Sequence, residues 1–220
     1  MNDPQIITGF YRDGYSSLIK NDPAKNVLLT LLQNEHWKED AQSNVLMPSW
    51  VPEIDFYGSK AQRERQAQDK LMGSTPVKYK KLVEVITKSS PVFTALKKIV
   101  GISISHFSMW NGVEKLGWHW DGYDSGDIVF LMYLNEEPNW SCQDGGYLGV
   151  GRRDLNDLDI GFVSDDCVHE MKFIPPVHGS EVWINNQNPL FVHKTTPLLT
   201  DRNRFTISVS LTLLREQLPR

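Results

Sequence analysis

Two histidines and one aspartate have the residue types and spacing of a metal site. His119 and Asp121 stand two residues apart in segment 117–122, which reads Gly-Trp-His-Trp-Asp-Gly. At the end of an extended strand, side chains two residues apart point to the same side, so this imidazole and this carboxylate can bind adjacent positions on one ion. His193 lies 74 residues later in another apolar segment and can supply a second nitrogen. Two nitrogens and one carboxylate oxygen leave three positions open on an octahedral metal, as in non-haem Fe(II) sites.

The His-x-Asp pair alone is weak evidence for a metal, because it occurs by chance in many chains. The alternative for His119 is a core histidine that is hydrogen-bonded to a neighbour. Other metal patterns fail. Residues 154–161 lack the alternating oxygen ligands of a calcium loop, and no Glu stands at its twelfth position. Cys142 and Cys167 lack the spacing of a zinc site.

The order of short motifs in the C-terminal half favours the metal interpretation. In chain order these motifs are His119-x-Asp121, Tyr133-Leu134-Asn135, Gly145-Gly146-x-Leu148, Pro175-Pro176, His193 and Arg204-Phe205-Thr206-Ile207-Ser208-Val209. This order and spacing resemble the Fe(II)- and 2-oxoglutarate-dependent dioxygenases, in the style of their prolyl-hydroxylase-like group. The resemblance covers residues 100–213, whereas the first hundred residues carry no comparable signature.

The resemblance implies an enzyme with Fe(II) held by His119, Asp121 and His193. It also implies 2-oxoglutarate and O2 as co-substrates, with ascorbate as a stimulant. The implied reaction hydroxylates an unactivated C–H bond of a substrate and releases succinate and CO2. Relatives that halogenate lack the carboxylate at the position of Asp121, so its presence favours hydroxylation.

The distal carboxylate of 2-oxoglutarate needs a buried cation, and two arginines compete for this role. Arginine suits it because the planar guanidinium binds a carboxylate through two parallel hydrogen bonds. Arg204 opens an apolar strand, and the family pattern of a basic residue followed on the same face by a hydroxyl residue is met by Thr206. We expect Arg204 to be the anchor. Arg202 is the alternative, and it otherwise belongs to a turn.

Four aromatic residues near these positions have two interpretations each. Tyr133 matches a tyrosine that in some relatives donates its hydroxyl to the same carboxylate, and it otherwise packs in the core. Trp110 either walls the co-substrate pocket or, as we prefer, packs in the core. Trp118 and Trp120 flank His119 and point away from the metal on an ideal strand, so we expect packing or rim positions for them.

The elements that must position these side chains change in character near residue 100. Before it, apolar spacing predicts helices, which are 24–34, 77–88 and 90–99. After it, short apolar segments separated by Gly, Pro and Asn predict strands, which are 102–106, 127–134, 146–150, 168–174, 181–185, 190–195 and 204–214. The run 127–134 is apolar throughout, as in a strand buried on both faces.

These elements predict one mainly β domain over residues 1–220. A double-stranded β-helix (a cupin-like jelly roll) would span 100–214. Residues 1–99 would form a helical elaboration outside it, with an aromatic-rich loop over 45–58. A non-catalytic, cupin-like metal-binding sensor or structural protein is the alternative function for the same fold.

Composition limits the class of protein and its partners. The chain has 220 residues, 40% of them hydrophobic and 23% charged, which excludes disordered and low-complexity classes. No apolar run reaches a membrane span, no signal peptide is visible, and two cysteines suit a reducing compartment, so we expect a cytoplasmic protein.

Charge is distributed unevenly along the chain and bears on the substrate. Residues 60–100 hold ten basic against three acidic residues, and 101–170 hold three basic against thirteen acidic residues. Such runs are mostly solvated surface, although the basic segment can also form a rim for an anionic substrate. The net charge of −4 argues against a nucleic-acid partner. A prolyl or other protein side chain and a small amino-acid-like metabolite stay open as substrates, as does the oligomeric state.

Overall fold

The computed structural model describes residues 3–40, 43–51, 66, 69–96, 99–110, 116–122, 126–135, 140–154 and 163–214. The labelled helices are α1 (Asp3–Arg12), α2 (Pro23–Gln33), α3 (Val77–Ser89) and α4 (Pro91–Leu96). The strands are β1 (Tyr15–Ile19), β2 (Trp37–Asp40), β3 (Ser43–Pro48), β4 (Ile99–Trp110), β5 (Leu116–His119), β6 (Ile128–Tyr133), β7 (Leu148–Arg153), β8 (Val168–Ile174), β9 (Ser180–Asn185), β10 (Phe191–Thr195) and β11 (Arg204–Leu213). Residues 69–74 are also helical.

The strands form two antiparallel sheets. The seven-stranded sheet has the order β1-β9-β6-β11-β4-β3-β2, and the four-stranded sheet has the order β5-β10-β7-β8. The predicted mainly β jelly roll with helices packed outside is therefore confirmed. Within residues 100–214 the predicted strands differ from the observed ones by one to three residues at most ends.

The helices cover the outer face of the seven-stranded sheet. Their apolar stripes and one face of this sheet form a single buried cluster, which includes Phe10, Leu28, Tyr79, Ile86, Phe130, Trp183, Phe205 and Ile207. At the start of α2 the carboxylate of Asp22 accepts a hydrogen bond from Ala24 N, and Pro23 occupies the first turn. This N-cap with a following proline is the predicted start of the helix.

Strand β6 divides its side chains between two cores. Ile128, Phe130 and Met132 belong to the helix-covered cluster. Val129 and Tyr133 belong to a second cluster between the sheets, together with residues of β7 and β9. Both faces of this strand are therefore buried, which explains why its sequence is apolar without alternation.

The N-terminal part contains more strand than the sequence predicted. The expectation of a purely helical elaboration over 1–99 is wrong, because β1, β2 and β3 extend the seven-stranded sheet at its two ends. The predicted aromatic loop 45–58 is wrong over 45–48, which lie in β3, and residues 52–58 lie outside the described residues. β1 has five residues and β2 only four, so neither is long enough to show a clear period of two.

A buried ion pair joins α2 to the sheet. Lys25 and Glu181 are both fully buried, and Lys25 Nζ lies 2.7 Å from Glu181 Oε1. The same ammonium donates to the carbonyl oxygens of Gly179 at 2.8 Å and Lys20 at 2.9 Å. Burial lowers the pKa of Lys25, and the attraction of Glu181 opposes that change. The pair fixes α2 against the start of β9.

Among the helices of the described residues, none is both long enough and apolar enough to cross a membrane.

Candidate metal centre

Two histidines meet across neighbouring strands of the four-stranded sheet. His119 is the last residue of β5, and it lies directly opposite His193 in the antiparallel pair of β5 and β10. The centroids of their rings are 4.3 Å apart. Residues directly opposite each other in an antiparallel pair project on the same face of a sheet, which explains how positions 74 residues apart converge.

Asp121 completes the cluster from the turn that follows β5. Its Oδ1 lies 3.4 Å from His119 Nε2, and its Oδ2 lies 3.5 Å from His193 Nε2. One ligand atom from each of the three residues lies within 4.8 Å of the others. Ligand atoms at right angles around an ion, each about 2.1 Å from it, are about 3 Å apart. The donor set and its spacing therefore fit one divalent ion after a small contraction.

The protonation of both imidazoles suits metal binding. His119 Nδ1 lies 2.7 Å from the carbonyl oxygen of Gly117. Because that oxygen only accepts, Nδ1 carries the proton, and the lone pair of Nε2 faces Asp121. Burial lowers the pKa of His193 to about 4, an effect that His119 reinforces and Asp121 opposes. His193 is thus neutral at pH 7.

The cluster is open on one side. The side chains of His119 and Asp121 are 16% and 25% exposed, whereas that of His193 is 9% exposed. A ligand from solvent can therefore approach from the side of Asp121. Trp118 and Trp120 take no part in this face, because both are buried with Val163, Val168 and Val192 in a separate cluster. This is the packing expected for the residues that flank His119.

A buried asparagine that sequence reasoning treated only as turn punctuation ties down the turn at Asp121. Asn186 Nδ2 donates to the carbonyl oxygens of Gly122 at 2.7 Å and Gly126 at 2.8 Å. The indole of Trp120 donates to the carbonyl oxygen of Asn186 at 3.0 Å. Both chain neighbours of Asp121 are thereby fixed by one residue. Its position directly after β9 was visible in the sequence, but its partners lie about 60 residues away.

A second polar cluster surrounds Arg204 at the start of β11. Arg204 Nη1 donates to Thr206 Oγ1 and Nη2 donates to Tyr133 OH, both at 3.2 Å. All three residues are buried. Burial lowers the pKa of Arg204 and raises that of Tyr133, and each group partly offsets the effect on the other. The structure thus brings together the three residues that the resemblance associates with the co-substrate.

The Tyr133-Leu134-Asn135 motif holds the strand that carries Arg204. Asn135 Oδ1 accepts a hydrogen bond from Phe205 N at 2.9 Å, and Asn135 Nδ2 donates to the carbonyl oxygen of Pro176. Phe205 packs in the helix-covered cluster, so Arg204 and Thr206 face the other way, into the protein between the sheets. This fixes the register on which the choice between Arg204 and Arg202 depends.

Arg202 lies outside the Arg204 cluster. Its side chain is 40% exposed, and its Nη1 is 3.6 Å from Asp144 Oδ2. It occupies the turn before β11, which is the alternative role considered for it.

Two consecutive glycines and a tryptophan line the aliphatic part of Arg204. Gly145 and Gly146 both have a φ of +66°, which side chains rarely adopt. A Cβ atom on Gly146 would lie 3.1 Å from Arg204 Cδ and 3.5 Å from Trp140 Cζ2. Trp140 in turn donates its indole hydrogen to the carbonyl oxygen of Gly145 at 2.7 Å. Sequence reasoning used the glycine pair as a motif and did not single out Trp140.

Trp110 has a described backbone position only. It ends β4 and pairs with Arg204 of β11. Its side chain lies outside the described residues, so neither of the two interpretations is tested.

Comparisons by sequence and by structure give different results. No family model and no curated protein matches the chain. A Pseudomonas putida prolyl-4-hydroxylase structure aligns with a TM-score of 0.51 at 16% identity, covering 98% of this chain and 96% of that one. A 2OG-Fe(II) oxygenase family oxidoreductase from Burkholderia pseudomallei gives 0.54 at 11% identity, covering 98% and 95%. The alpha-ketoglutarate-dependent epimerase SnoN from nogalamycin biosynthesis gives 0.55 at 12%, covering 94% and 82%.

The fold is therefore the jelly roll of the Fe(II)- and 2-oxoglutarate-dependent oxygenases. Prolyl 4-hydroxylases are among the structures that share it over nearly the whole chain. At these identities the likeness concerns the fold, and the chemistry must be argued from the residues of this chain.

Proposed function

We propose that this protein is an Fe(II)- and 2-oxoglutarate-dependent dioxygenase that hydroxylates an unactivated C–H bond and releases succinate and CO2. The observation that carries the proposal is that the His-Asp-His cluster and Arg204 face the same space between the two sheets. His193 lies opposite Val150 of β7, and Val150 packs with Tyr133 in the cluster between the sheets. Tyr133 lies opposite Thr206 and receives a hydrogen bond from Arg204.

His119, Asp121 and His193 would hold the iron. Bound iron supplies the activation of O2 and the oxidation of the C–H bond. The chain contributes a ligand set that needs little preparation, because His193 is already neutral and His119 already presents Nε2. The carboxylate of Asp121 offsets part of the charge of a divalent ion, and the triad leaves three positions for a chelating co-substrate and O2.

Arg204, with Tyr133 and Thr206, would hold the distal carboxylate of 2-oxoglutarate. A buried guanidinium is costly without an anion, and a carboxylate arriving from solution would supply one. Tyr133 and Thr206 already orient its two terminal nitrogens, so little side-chain freedom is lost on binding. The interior position of the cluster also keeps water from competing for the carboxylate.

The proposed substrates are a prolyl or other protein side chain, or a small amino-acid-like metabolite. The prolyl-4-hydroxylase likeness supports the first class, because that neighbour shares the fold over 96% of its own length. The half-exposed side of the triad supports a substrate that approaches from solvent at Asp121.

An anaerobic binding experiment tests the proposed site. Addition of Fe(II) and 2-oxoglutarate should give a weak visible charge-transfer band, because the co-substrate would chelate the metal. His193→Ala should abolish this band. His169→Ala is the matched control, since His169 is more than half exposed and pairs with Asp154 at 3.2 Å, away from the triad. A band that survives His193→Ala would show that the triad is wrongly assigned.

A turnover experiment separates the enzyme from a metal-binding sensor. Aerobic incubation with Fe(II) and 2-oxoglutarate should release succinate, slowly without substrate and faster when a cell extract supplies one. Metabolite and peptide profiling of the same incubation would identify the product that gains one oxygen atom. Binding of metal and 2-oxoglutarate without any succinate would instead indicate the sensor.

A further inference from the structure

We infer that Asn186 is a positioning residue that sets the carboxylate of Asp121 in place for the metal. The inference rests on the proposed metal-binding role of Asp121. It assigns to Asn186 a task that its position in the sequence, at the end of a strand, does not reveal. Asn186 is 1% exposed and lies outside the triad.

The geometry of the turn supports this role. Asp121 stands between Trp120 and Gly122. The first donates its indole hydrogen to Asn186 O, and the carbonyl oxygen of the second accepts from Asn186 Nδ2. The second hydrogen of the amide goes to the carbonyl oxygen of Gly126. Gly122 and Gly126 have φ values of +87° and +99°, so the chain reverses on both sides of segment 123–125 with its carbonyls turned toward one side chain.

The orientation of the amide follows from its partners. Both contacts of the side chain are carbonyl oxygens, which only accept hydrogen bonds, so the nitrogen of Asn186 must face them. An aspartate of the same size would place a carboxylate against two carbonyl oxygens. An alanine would leave both carbonyls without this donor. Asparagine alone among residues of this size supplies two hydrogens at one atom.

Asn186 also links the two chain segments that bring the ligands together. Its own N–H donates to the carbonyl oxygen of Asp127 at 3.1 Å, directly before β6. It directly follows β9, and the chain continues from it to β10 and His193. A shift of this residue would therefore move Asp121 relative to His193. A carboxylate on a loosely held turn would bind metal less tightly, because ordering it would oppose binding.

Metal titration of four proteins tests the inference directly. Co(II) is the probe, and its dissociation constant is measured together with the visible spectrum of the saturated protein and the thermal midpoint in chelator. Asn186→Ala should weaken Co(II) binding by roughly 10- to 100-fold, the range found when residues behind metal ligands are changed. It should also change the shape of the Co(II) spectrum. Trp120→Phe, which removes only the indole hydrogen bond, should give a smaller change in the same direction and keeps the test valid if Asn186→Ala fails to fold.

Asn188→Ala is the matched control for these variants. Asn188 lies in the same connection between β9 and β10, and its side chain accepts from Leu190 N at 3.0 Å without reaching the turn at Asp121. Its Co(II) affinity and spectrum should equal those of the unaltered protein. If Asn186→Ala lowers only the thermal midpoint and leaves affinity and spectrum unchanged, Asn186 is merely structural and the inference is wrong. If the unaltered protein binds no Co(II) or Fe(II), the proposed metal centre itself fails, and the inference with it.

Discussion

His119 and His193 lie opposite each other across β5 and β10, with ring centroids 4.3 Å apart. The same row continues from His193 to Val150 on the next strand, which faces the space between the sheets. The two histidines are thus held by backbone pairing, and the third member, Asp121, is held by a turn. A pair of ligands on rigid strands and one on a turn predicts different sensitivities to mutation on the two sides of the site.

The first prediction concerns the proposed carboxylate anchor. Arg204→Ala should weaken 2-oxoglutarate binding without a comparable effect on iron, because a buried carboxylate would lose its partner. Breaking a buried pair costs roughly 3–5 kcal/mol, which corresponds to roughly 150- to 5,000-fold in affinity. The measurement is the apparent 2-oxoglutarate affinity at saturating Fe(II). Arg202→Ala is the control and should change this affinity little, since Arg202 is 40% exposed and near Asp144. A larger effect of Arg202→Ala would move the anchor to that residue.

Tyr133→Phe should have an intermediate effect on the same affinity. It removes the hydroxyl that accepts from Arg204 Nη2 while the ring stays under the guanidinium, whose centre is 4.8 Å from the ring centroid. One hydrogen bond to a charged group contributes roughly 1.5–3 kcal/mol. Isothermal titration of the Fe(II)-loaded protein measures the change. An affinity equal to that of the unaltered protein would assign Tyr133 to core packing alone.

The metal-free protein should lose stability as the pH falls from 6.5 to 4. Burial lowers the pKa of His193 to about 4 in the folded state, so within this window the unfolded state binds more protons. The stabilisation is complete above pH 6.5 and is lost as the pH falls toward the folded-state pKa. Its size is roughly 3 kcal/mol, at about 1.4 kcal/mol for each pH unit between 6.5 and about 4.

Urea unfolding in chelator across this pH range measures the loss. Because carboxylates titrate in the same range, the informative quantity is the difference from His193→Gln, which cannot take up the proton. His169→Gln should keep the slope of the unaltered protein, since His169 is exposed. Identical slopes for the unaltered protein and His193→Gln would contradict the prediction.

Gly146→Ala should disturb the Arg204 cluster and lower stability. The new methyl group would sit at a φ of +66° and 3.1 Å from Arg204 Cδ. The left-handed conformation alone costs roughly 1–2 kcal/mol for a residue with a side chain. Gly73→Ala is the control, because Gly73 lies in the helical stretch 69–74 with open space around its Cβ position, so it should be neutral or slightly stabilising. Chemical denaturation compares the two, and equal effects would contradict the prediction.

The buried pair of Lys25 and Glu181 predicts a non-additive double mutant. Lys25→Met leaves a carboxylate buried without its partner and should cost roughly 3–5 kcal/mol of unfolding free energy, whereas Lys25→Met with Glu181→Leu should recover most of it. The exposed pair of Lys88 and Glu84 is the comparison, and Lys88→Met should cost less than about 1 kcal/mol. Urea titration measures all three, and a double mutant as unstable as Lys25→Met would argue against the pair.

The C-terminal fold and the metal cluster were accessible from sequence because their signals are local. Strands such as β6 are apolar runs between turn residues, and His119 with Asp121 shows its spacing within three positions. The N-terminal strands were not accessible, since β2 is four residues of Trp-Lys-Glu-Asp at a sheet edge and carries no apolar pattern. Lys25, Trp140 and Asn186 were missed for another reason. The roles of Lys25 and Asn186 come from partners 60 to 156 residues away, and the bond of Trp140 to Gly145 is local but leads to Arg204.

The last strand of the chain, β11, is the middle strand of the seven-stranded sheet. During synthesis, β4 and β6 must therefore wait for it with their facing edges unpaired, although both are complete long before. Exposed edges of this kind pair readily with other chains. A polypeptide that stops before Arg204 would lack the guanidinium and would also present two open apolar strands, so premature termination near the C-terminus should yield aggregates and not a folded protein without co-substrate binding. The segment that completes the proposed site is thus also the segment that closes the fold.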